Sequence, residues 1–193
     1  MAKAFVFLAD GFEDVEALIP IDVLRRGGVE VTTVSVVDDS CIVTSAHGVQ
    51  VVADCTYGDD LNDDDLQGAD LVLLPGGMPG AKNLYDHEGV DQAVLRQHKA
   101  GRWLAAICAA PAVVLGQLGV LSGRKATCYP GFEQLLNGAT YTGDLCTQDG
   151  HIITAEGPAA AFPFAYKLLA LLTNEKTAQQ VAEGMRFVHL MQG

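Results

Sequence analysis

The sequence predicts an α/β fold with a mostly parallel central sheet that helices cover on both faces. Segments that favour strands alternate along the chain with segments that favour helices, which is the order expected of a parallel sheet. The predicted strands are also apolar almost throughout, and a strand that is buried on both faces needs such a composition. No internal repeat, low-complexity tract or linker interrupts residues 1–193, so we expect a single domain.

The first strand and the first helix are marked by different hydrophobic patterns. The run "AKAFVFLA" at 2–9 is short and mostly apolar, as a buried strand requires. The segment 14–28 places Ala17, Ile21 and Leu24 on one stripe of a helix, and two arginines and two glycines mark its end. The chain turns acidic after residue 9 and lacks a small-residue cleavage site, so we expect a core strand and not a signal peptide.

The next segments follow the chemistry of strands and turns. Residues 29–37 are β-branched and predict a strand, and 41–54 predicts a hairpin whose turn lies near His47-Gly48. We expect the acidic segment 59–65 to be a solvated loop. The apolar run that begins at residue 69 predicts a buried strand that ends in a Pro-Gly-Gly turn.

The second half of the chain continues the alternation and finishes in two helical segments. Its shorter strands are separated by polar and glycine-containing turns. The predicted elements are a helix over 90–100, a strand over 102–107, a helix from Cys108 to about Leu118, strands over 125–128 and 151–155, and helices over 159–172 and 175–191.

Charge and composition exclude several classes of partner. The 193 residues carry 12 basic and 24 acidic side chains, a formal net charge of −12. Such a surface repels phosphate backbones and anionic lipid headgroups, so we expect neither nucleic-acid nor membrane partners. No apolar run approaches the roughly 18 residues that a membrane-spanning helix needs. Hydrophobic residues make up 49% of the chain, enough for a sizeable core.

The cysteine pattern favours a reducing compartment. Five cysteines are an odd and widely spaced set with no C-x-x-C pair, which argues against a disulfide framework and against a zinc site. The five histidines are also scattered, with no pair at helical ligand spacing. We therefore expect a cytoplasmic protein without a metal.

One cysteine, Cys108, lies where a buried strand ends and a helix begins. A residue at such a turn points above the sheet, which is the geometry of a nucleophile elbow. It also lies at the N-terminal end of the helix, which favours an anion, so we expect a lowered thiol pKa. Small alanines around the turn and Pro111 after it fit close backbone packing. The alternative is an inert cysteine of the core.

Two further segments place chemistry at the same edge of the sheet. Glu16 lies among apolar neighbours, and it is either an exposed carboxylate near a helix start or an inward-facing carboxyl with a raised pKa. Gly76 and Gly77 follow a strand directly and can present backbone N–H groups. Together with the N–H of Ala109 they could form an oxyanion hole. The motif "PGG" alone is weak, because turns use it often.

Four ordered segments resemble the ThiJ/PfpI superfamily, in the branch of the Parkinson-disease protein deglycase and its bacterial relatives. They are "GFEDVEALIPIDVLRRGGVEVTTVSV", "LVLLPGGMPGAKNL", "AAICAAPAVVL" and "TAEGPAAAFPFAYKLLALL", and together they extend over nearly the whole chain. The resemblance implies a flavodoxin-like three-layer sandwich, a homodimer and no cofactor.

The resemblance also implies roles for individual residues. Cys108 matches the reactive cysteine of the family, and Glu16 matches the protonated glutamate that hydrogen-bonds its thiolate. Gly77 and Ala109 match the backbone donors to the oxyanion. Gly76 belongs to the same turn and is expected to border the pocket, as are the residues that match the late "GP" turn, Gly157 and Pro158.

The chain departs from the family pattern at two places. Tyr129 stands where the human branch often has a histidine in an "HP" dipeptide, so a base at that site is in doubt, although the hydroxyl could orient a substrate. Ala46-His47 replaces an arginine that is associated with an intersubunit salt bridge. Ala109 stands where the proteolytic branch has a histidine, and no His-x-Glu follows as in glutamine amidotransferases. Protease and amidotransferase activities are therefore disfavoured.

The residues leave three functions open. A nucleophile, one carboxyl group and an oxyanion pocket suit addition to a reactive carbonyl. The resemblance agrees, because it implies glyoxalase or deglycase chemistry on small carbonyl substrates such as methylglyoxal, without glutathione. The second hypothesis is that the protein is an oxidative-stress sensor or redox-regulated chaperone that acts through oxidation of Cys108. The third is a scaffold in which Cys108 is inert.

Overall fold

The computed structural model describes residues 1–58, 60–61 and 65–190. The predicted acidic loop over 59–65 lies partly outside these residues. The strands are β1 (Lys3–Leu8), β2 (Glu30–Ser35), β3 (Ile42–Thr44), β4 (Gln50–Val52), β5 (Cys55–Thr56), β6 (Leu71–Leu74), β7 (Trp103–Ile107), β8 (Lys125–Ala126), β9 (Thr140–Tyr141), β10 (Cys146–Asp149) and β11 (Ile152–Ala155).

Helices of several lengths join these strands. The α-helices are α1 (Asp14–Arg26), α2 (Gly80–Tyr85), α3 (Glu88–Lys99), α4 (Ala161–Leu172), α5 (Glu175–Gly184) and α6 (Phe187–Leu190). Short 3₁₀ turns occupy Asp65–Gly68, Glu133–Leu135 and Pro158–Ala160, and Pro111–Gly116 is π-helical. None of the helices in the described part of the chain is long and apolar enough to cross a membrane.

The central sheet contains seven strands in the order β10-β11-β7-β6-β1-β2-β5. Neighbours run parallel except β10, which pairs antiparallel with β11. Strands β3 and β4 form a separate antiparallel hairpin, and Gly48 in its turn has a φ of 81°. The predicted α/β fold with a mostly parallel sheet is confirmed.

Both faces of the sheet are covered, because side chains alternate along each strand. Phe5 and Phe7 of β1 belong to a core that includes residues of α3 and of the π-helical segment. Val6 and Leu8 of the same strand belong to a second core, with residues of α1 and α4. Helix, sheet and helix therefore form the three layers of a flavodoxin-like sandwich.

The structure differs from the sequence prediction after Cys108 and near the C-terminus. The helix predicted to reach Leu118 is π-helical and ends at Gly116. The helix predicted over 175–191 ends at Gly184, and the positive φ of Arg186, 63°, separates it from α6. Residue 191 lies outside the described residues.

Several short elements have no counterpart in the sequence prediction. Helix α2 follows a turn rich in proline and glycine, residues that ordinarily interrupt helices. Strands β5, β9 and β10 lack the continuous apolar run of the buried strands. Strands β5 and β10 lie at the two edges of the central sheet, and β9 pairs with β8 outside it.

Candidate functional site

Cys108 lies at the carboxyl end of β7 in a left-handed backbone conformation with a φ of 66°. Such a conformation costs a non-glycine residue about 1–3 kcal/mol, and it persists because the surroundings hold it. The Cys108 N–H donates to the Ala155 carbonyl at 2.9 Å, and the Cys108 carbonyl accepts the N–H of Tyr129 at 2.8 Å. The predicted elbow at Cys108 is present, and neighbouring segments hold it from both sides.

Glu16 points inward from the first turn of α1. It is fully buried, and its Oε2 accepts the backbone N–H of Gly76 at 3.0 Å. Its carboxyl also lies close to Cys108, since a Cβ on Gly76 would meet both Glu16 Oε2 and the Cβ of Cys108. The second oxygen, Oε1, is buried without a hydrogen-bond partner among the described residues. The inward-facing alternative for Glu16 therefore holds, and the exposed one is wrong.

The two glycines after β6 allow a close approach of the backbone to its neighbours, which the Cβ of any other residue would prevent. A Cβ on Gly76 would lie 2.6 Å from Glu16 Oε2 and 2.7 Å from the Cβ of Cys108. Gly77 has a φ of 87°, and a Cβ there would meet the backbone N of Glu13 at 2.4 Å. The turn thus brings its backbone against both functional side chains.

The N–H groups of Gly77 and Ala109 complete the surroundings of the sulfur. Both backbone groups lower the pKa of the Cys108 thiol. They come from different elements, the turn after β6 and the residue after the elbow. The oxyanion hole expected from the sequence stays a prediction.

The expected lowering of the Cys108 pKa is wrong when Glu16 is ionised. Burial, the negative charge of Glu16 and the hydrogen bond to it raise the pKa of the thiol to about 12. The residue is only 9% exposed, so loss of hydration outweighs the backbone donors. The sequence indicates the position of the thiol at a helix start, but it does not indicate how little water reaches it.

The carboxyl group changes this balance when it takes up a proton. Burial raises the pKa of Glu16 to about 7, against hydrogen bonds from Cys108 and Gly76 that lower it. Molecules with a neutral Glu16 are therefore present near neutral pH. In those molecules the repelling charge is gone and the carboxyl can donate a hydrogen bond to a thiolate. Protonation of Glu16 thus favours a thiolate at Cys108.

The remaining predicted pocket residues line a groove of about 210 Å³ beside the elbow. Tyr129 is 46% exposed, and its ring packs on Gly157, where an added Cβ would lie 3.1 Å from a ring carbon. Neither Cys108, Glu16 nor Gly76 lines the groove, so the structure does not bring all the predicted site residues into one cavity. The full lining is Tyr129, Pro130, Leu145, Glu156, Gly157, Pro158, Ala159 and Ala160.

Five lining residues were not predicted from the sequence, and Leu145 and Glu156 are the two with distinctive side chains. Leu145 reaches the groove because its carbonyl accepts the N–H of Glu156 at 3.0 Å, across the antiparallel pair β10–β11. That pairing is invisible in the sequence pattern. Glu156 directly precedes the "GP" turn, and this proximity is the one signal that could have identified it.

A second polar cluster joins the hairpin to the start of α1. His47 Nδ1 lies 2.6 Å from Asp14 Oδ2 and 3.8 Å from Glu13 Oε2, and Ser45 donates to Asp14 at 2.6 Å. Glu13, Asp14 and His47 could together hold a metal ion by spacing. The hydrogen bond to Asp14 and the charge of Glu13 raise the pKa of His47. His47, which replaces the family arginine, thus forms an ion pair within its own chain.

Comparison with known proteins gives consistent results. The DJ-1/PfpI family profile matches residues 2–171. Protein DJ-1 homolog B of Arabidopsis thaliana is 40% identical over 93% of this chain, which spans 40% of that protein, and the chain spans 44% of homolog A. The glutathione-independent glyoxalase DJR-1.2 of Caenorhabditis elegans is 31% identical, with 86% of each chain covered.

A solved structure is similar to this chain both in fold and in sequence. Oxidised Toxoplasma gondii DJ-1 superposes with a TM-score of 0.87 at 34% identity, over 96% of this chain and 98% of that one. The profile match, these relatives and the shared fold lead to one conclusion: this chain belongs to the DJ-1/PfpI family.

Proposed function

We propose that the chain is a cofactor-independent glyoxalase or deglycase-type enzyme that acts on reactive 2-oxoaldehydes such as methylglyoxal. The observation that carries this proposal is the close approach of the buried Glu16 carboxyl to Cys108 at Gly76. It combines a nucleophile with a carboxyl whose pKa of about 7 suits proton transfer near neutral pH. The glyoxalase name of the C. elegans relative supports the proposal.

The first proposed step forms a covalent adduct. The Cys108 sulfur adds to the aldehyde carbon of methylglyoxal, and the thiol proton ends on the aldehyde oxygen through Glu16, which gives a hemithioacetal. The N–H groups of Gly77 and Ala109 stabilise the negative charge on that oxygen during addition.

The following steps convert the ketone into a hydroxy acid. Ionised Glu16 removes the proton from the former aldehyde carbon, and the electron pair moves onto the ketone oxygen to give an enediolate. Glu16 then returns its proton to the neighbouring carbon, while the hydroxyl proton of the hemithioacetal moves to the former ketone oxygen, which leaves a lactoyl thioester on Cys108. Water then hydrolyses the thioester to lactate and restores the thiol. The sum is methylglyoxal plus water to lactate, with no external oxidant or reductant.

Steady formation of lactate tests the proposal. The unsubstituted protein should produce many equivalents of lactate per chain without glutathione, and Cys108→Ser should abolish turnover. Glu16→Gln should lower kcat by about 10²–10⁴-fold, the range of general acid–base catalysis. Cys41→Ser is the matched control and should retain turnover, because Cys41 lies away from the site. A single equivalent of methylglyoxal bound to Cys108, with no lactate released, would contradict the enzyme proposal.

A second candidate is oxidative sensing, with or without a redox-regulated chaperone activity, through the same sulfur. Three groups that can form hydrogen bonds affect the pKa of the sulfur, the N–H groups of Gly77 and Ala109 and the Glu16 carboxyl, and they would hold the oxygens of a sulfinate. Two equivalents of hydrogen peroxide would give the sulfinic acid and two waters. The oxidised Toxoplasma gondii relative supports this candidate. Preferential sulfinate formation at Cys108 without carbonyl turnover would favour it.

We also propose that the protein is a cytoplasmic homodimer. The five cysteines are all free, as expected in a reducing compartment. Large apolar side chains stand exposed on α1 and on the hairpin β3–β4, which packs against the start of that helix. They are Val15, Leu18, Ile42, Val49 and Val52. A second copy of the chain would remove this surface from water.

A further inference from the structure

The groove beside the elbow is attached to the backbone of the nucleophile. One wall begins at Tyr129, whose N–H bonds the Cys108 carbonyl at 2.8 Å. The other wall begins at Glu156, one residue after Ala155, whose carbonyl accepts the Cys108 N–H at 2.9 Å. Both walls are therefore hydrogen-bonded to the backbone of the residue that carries the sulfur, although the Cys108 side chain does not itself line the groove. The steps proposed above leave it unused.

The groove is lined mainly by apolar groups that remain accessible. Tyr129 and Leu145 are 46% and 48% exposed, and two prolines and two alanines lie beside them. Gly157 makes room for the Tyr129 ring, and both residues line the groove. Exposed aromatic and apolar side chains beside a nucleophile are the composition expected of a small-molecule subsite.

Size and charge narrow the class of ligand. An apolar cavity of about 150 Å³ is large enough for benzene, so a groove of about 210 Å³ accommodates a phenyl ring. Glu156 is the one ionisable acid in the lining, and the protein carries a net charge of −12. A neutral apolar substituent is therefore favoured, and an anionic one is repelled.

We propose that this groove binds the substituent of the 2-oxoaldehyde, that the preferred substrates are neutral arylglyoxals, and that Tyr129 determines this specificity. The inference rests on the proposed function. For phenylglyoxal, Cys108 adds to the aldehyde carbon while the phenyl ring packs against Tyr129. The proton moves from the aldehyde carbon to the neighbouring carbon, and water releases mandelate. The overall reaction is phenylglyoxal plus water to mandelate.

The ratio of kcat/KM for phenylglyoxal to that for methylglyoxal tests the inference. The unsubstituted protein should show a ratio of about ten, because aromatic contact and apolar burial together contribute about 1.4 kcal/mol. Tyr129→Phe should keep the ratio within twofold, since the ring remains. Tyr129→Ala should bring it close to one. Leu135→Ala, an exposed leucine outside the groove, is the control and should leave the ratio unchanged.

A charged probe tests the role of Glu156. We expect 4-carboxyphenylglyoxal to react less efficiently than phenylglyoxal, and Glu156→Gln to reduce that difference. A ratio of one or less in the unsubstituted protein would overturn the inference, as would a ratio that Tyr129→Ala leaves unchanged. Circular dichroism of each variant checks that the fold is retained.

Failure of the proposed function has a different signature. If neither lactate nor mandelate forms, the preference of the groove for an aryl group is tested separately. The rates of irreversible alkylation of Cys108 by 2-bromoacetophenone and by bromoacetone are compared. In both reactions the C–S bond forms, bromide leaves and the thiol proton goes to solvent. A faster reaction of the aryl reagent that depends on Tyr129 would retain the groove as an aryl site, while equal rates would overturn it.

Discussion

Glu16 and Cys108 meet at Gly76, in a region that water barely reaches: a Cβ on that glycine would lie 2.6 Å from Glu16 Oε2 and 2.7 Å from the Cβ of Cys108. Because two neighbouring anions are unfavourable there, the charge of an ionised Glu16 raises the pKa of the Cys108 thiol. The protonation state of Glu16 therefore decides whether the site offers a general base or a carboxyl that can stabilise a thiolate.

The buried carboxyl makes stability depend on pH. Its pKa is about 7 in the folded chain against an ordinary 4.5, so the folded form binds more protons between these values. The stabilising contribution is complete below about pH 4.5 and is lost as pH rises through 7. Glu16→Gln, neutral throughout, should therefore gain about 3 kcal/mol in unfolding free energy relative to the unsubstituted protein between pH 4.5 and 8.

Urea denaturation across this pH range measures the effect. Glu30→Gln, which removes an exposed carboxylate, is the control and should follow the unsubstituted protein. If Glu16→Gln shows the same pH slope as the unsubstituted protein, the raised pKa is contradicted.

Gly76→Ala should damage the site and the fold together. The added methyl group would lie 2.6 Å from Glu16 Oε2 and 2.7 Å from the Ile107 carbonyl oxygen, and neither can move freely. We expect a loss of stability of about 1–3 kcal/mol and a loss of turnover greater than 100-fold. Thermal unfolding and lactate assays measure both. Gly184→Ala, where a Cβ meets nothing within 4 Å, should change neither, and an active Gly76→Ala protein would refute this packing argument.

The backbone of Cys108 stores strain that a glycine would relieve. At a φ of 66° glycine is favoured over alanine, whose Cβ is unfavourable in this region. Cys108→Gly should therefore be more stable than Cys108→Ala by about 1 kcal/mol, although both lack the thiol. Parallel thermal melts provide the comparison. Equal melting temperatures would show that the left-handed backbone conformation at position 108 carries no strain.

Val52→Glu should separate the proposed dimer. Val52 is 75% exposed and pairs across the hairpin with Ile42, which is 51% exposed. A carboxylate in the middle of an apolar interface is costly, so the variant should elute as a monomer in size-exclusion chromatography with light scattering. Leu135→Glu, a similarly exposed leucine elsewhere, should leave the mass unchanged. A dimeric Val52→Glu protein would place the interface elsewhere.

The sequence predicted the strands that carry the site because burial on both faces leaves a continuous apolar run. The run before Cys108 and the run before Gly76 are both of this kind, and the structure brings their ends together. Glu16 was identifiable because a carboxyl among apolar neighbours is unusual. In each case a strong local signal coincided with the final position in the fold.

Other features depend on contacts that local pattern does not record. Leu145 reaches the groove through an antiparallel edge pairing between polar strands. The ion pair of His47 with Asp14 joins residues 33 positions apart. The raised pKa of Cys108 results from the exclusion of water by several elements at once. None of these contacts leaves a periodic trace in the sequence.

The backbone N–H of Cys108 is hydrogen-bonded to Ala155 of strand β11, and the backbone carbonyl of Cys108 is hydrogen-bonded to the N–H of Tyr129. The sulfur therefore shares the rigidity of the sheet, while the groove side chains are free to differ. Over evolutionary time such a layout separates reactivity from preference. Substitutions at positions such as 129 and 145 would let descendants of one ancestor take up new metabolites while the reacting atoms stay in place.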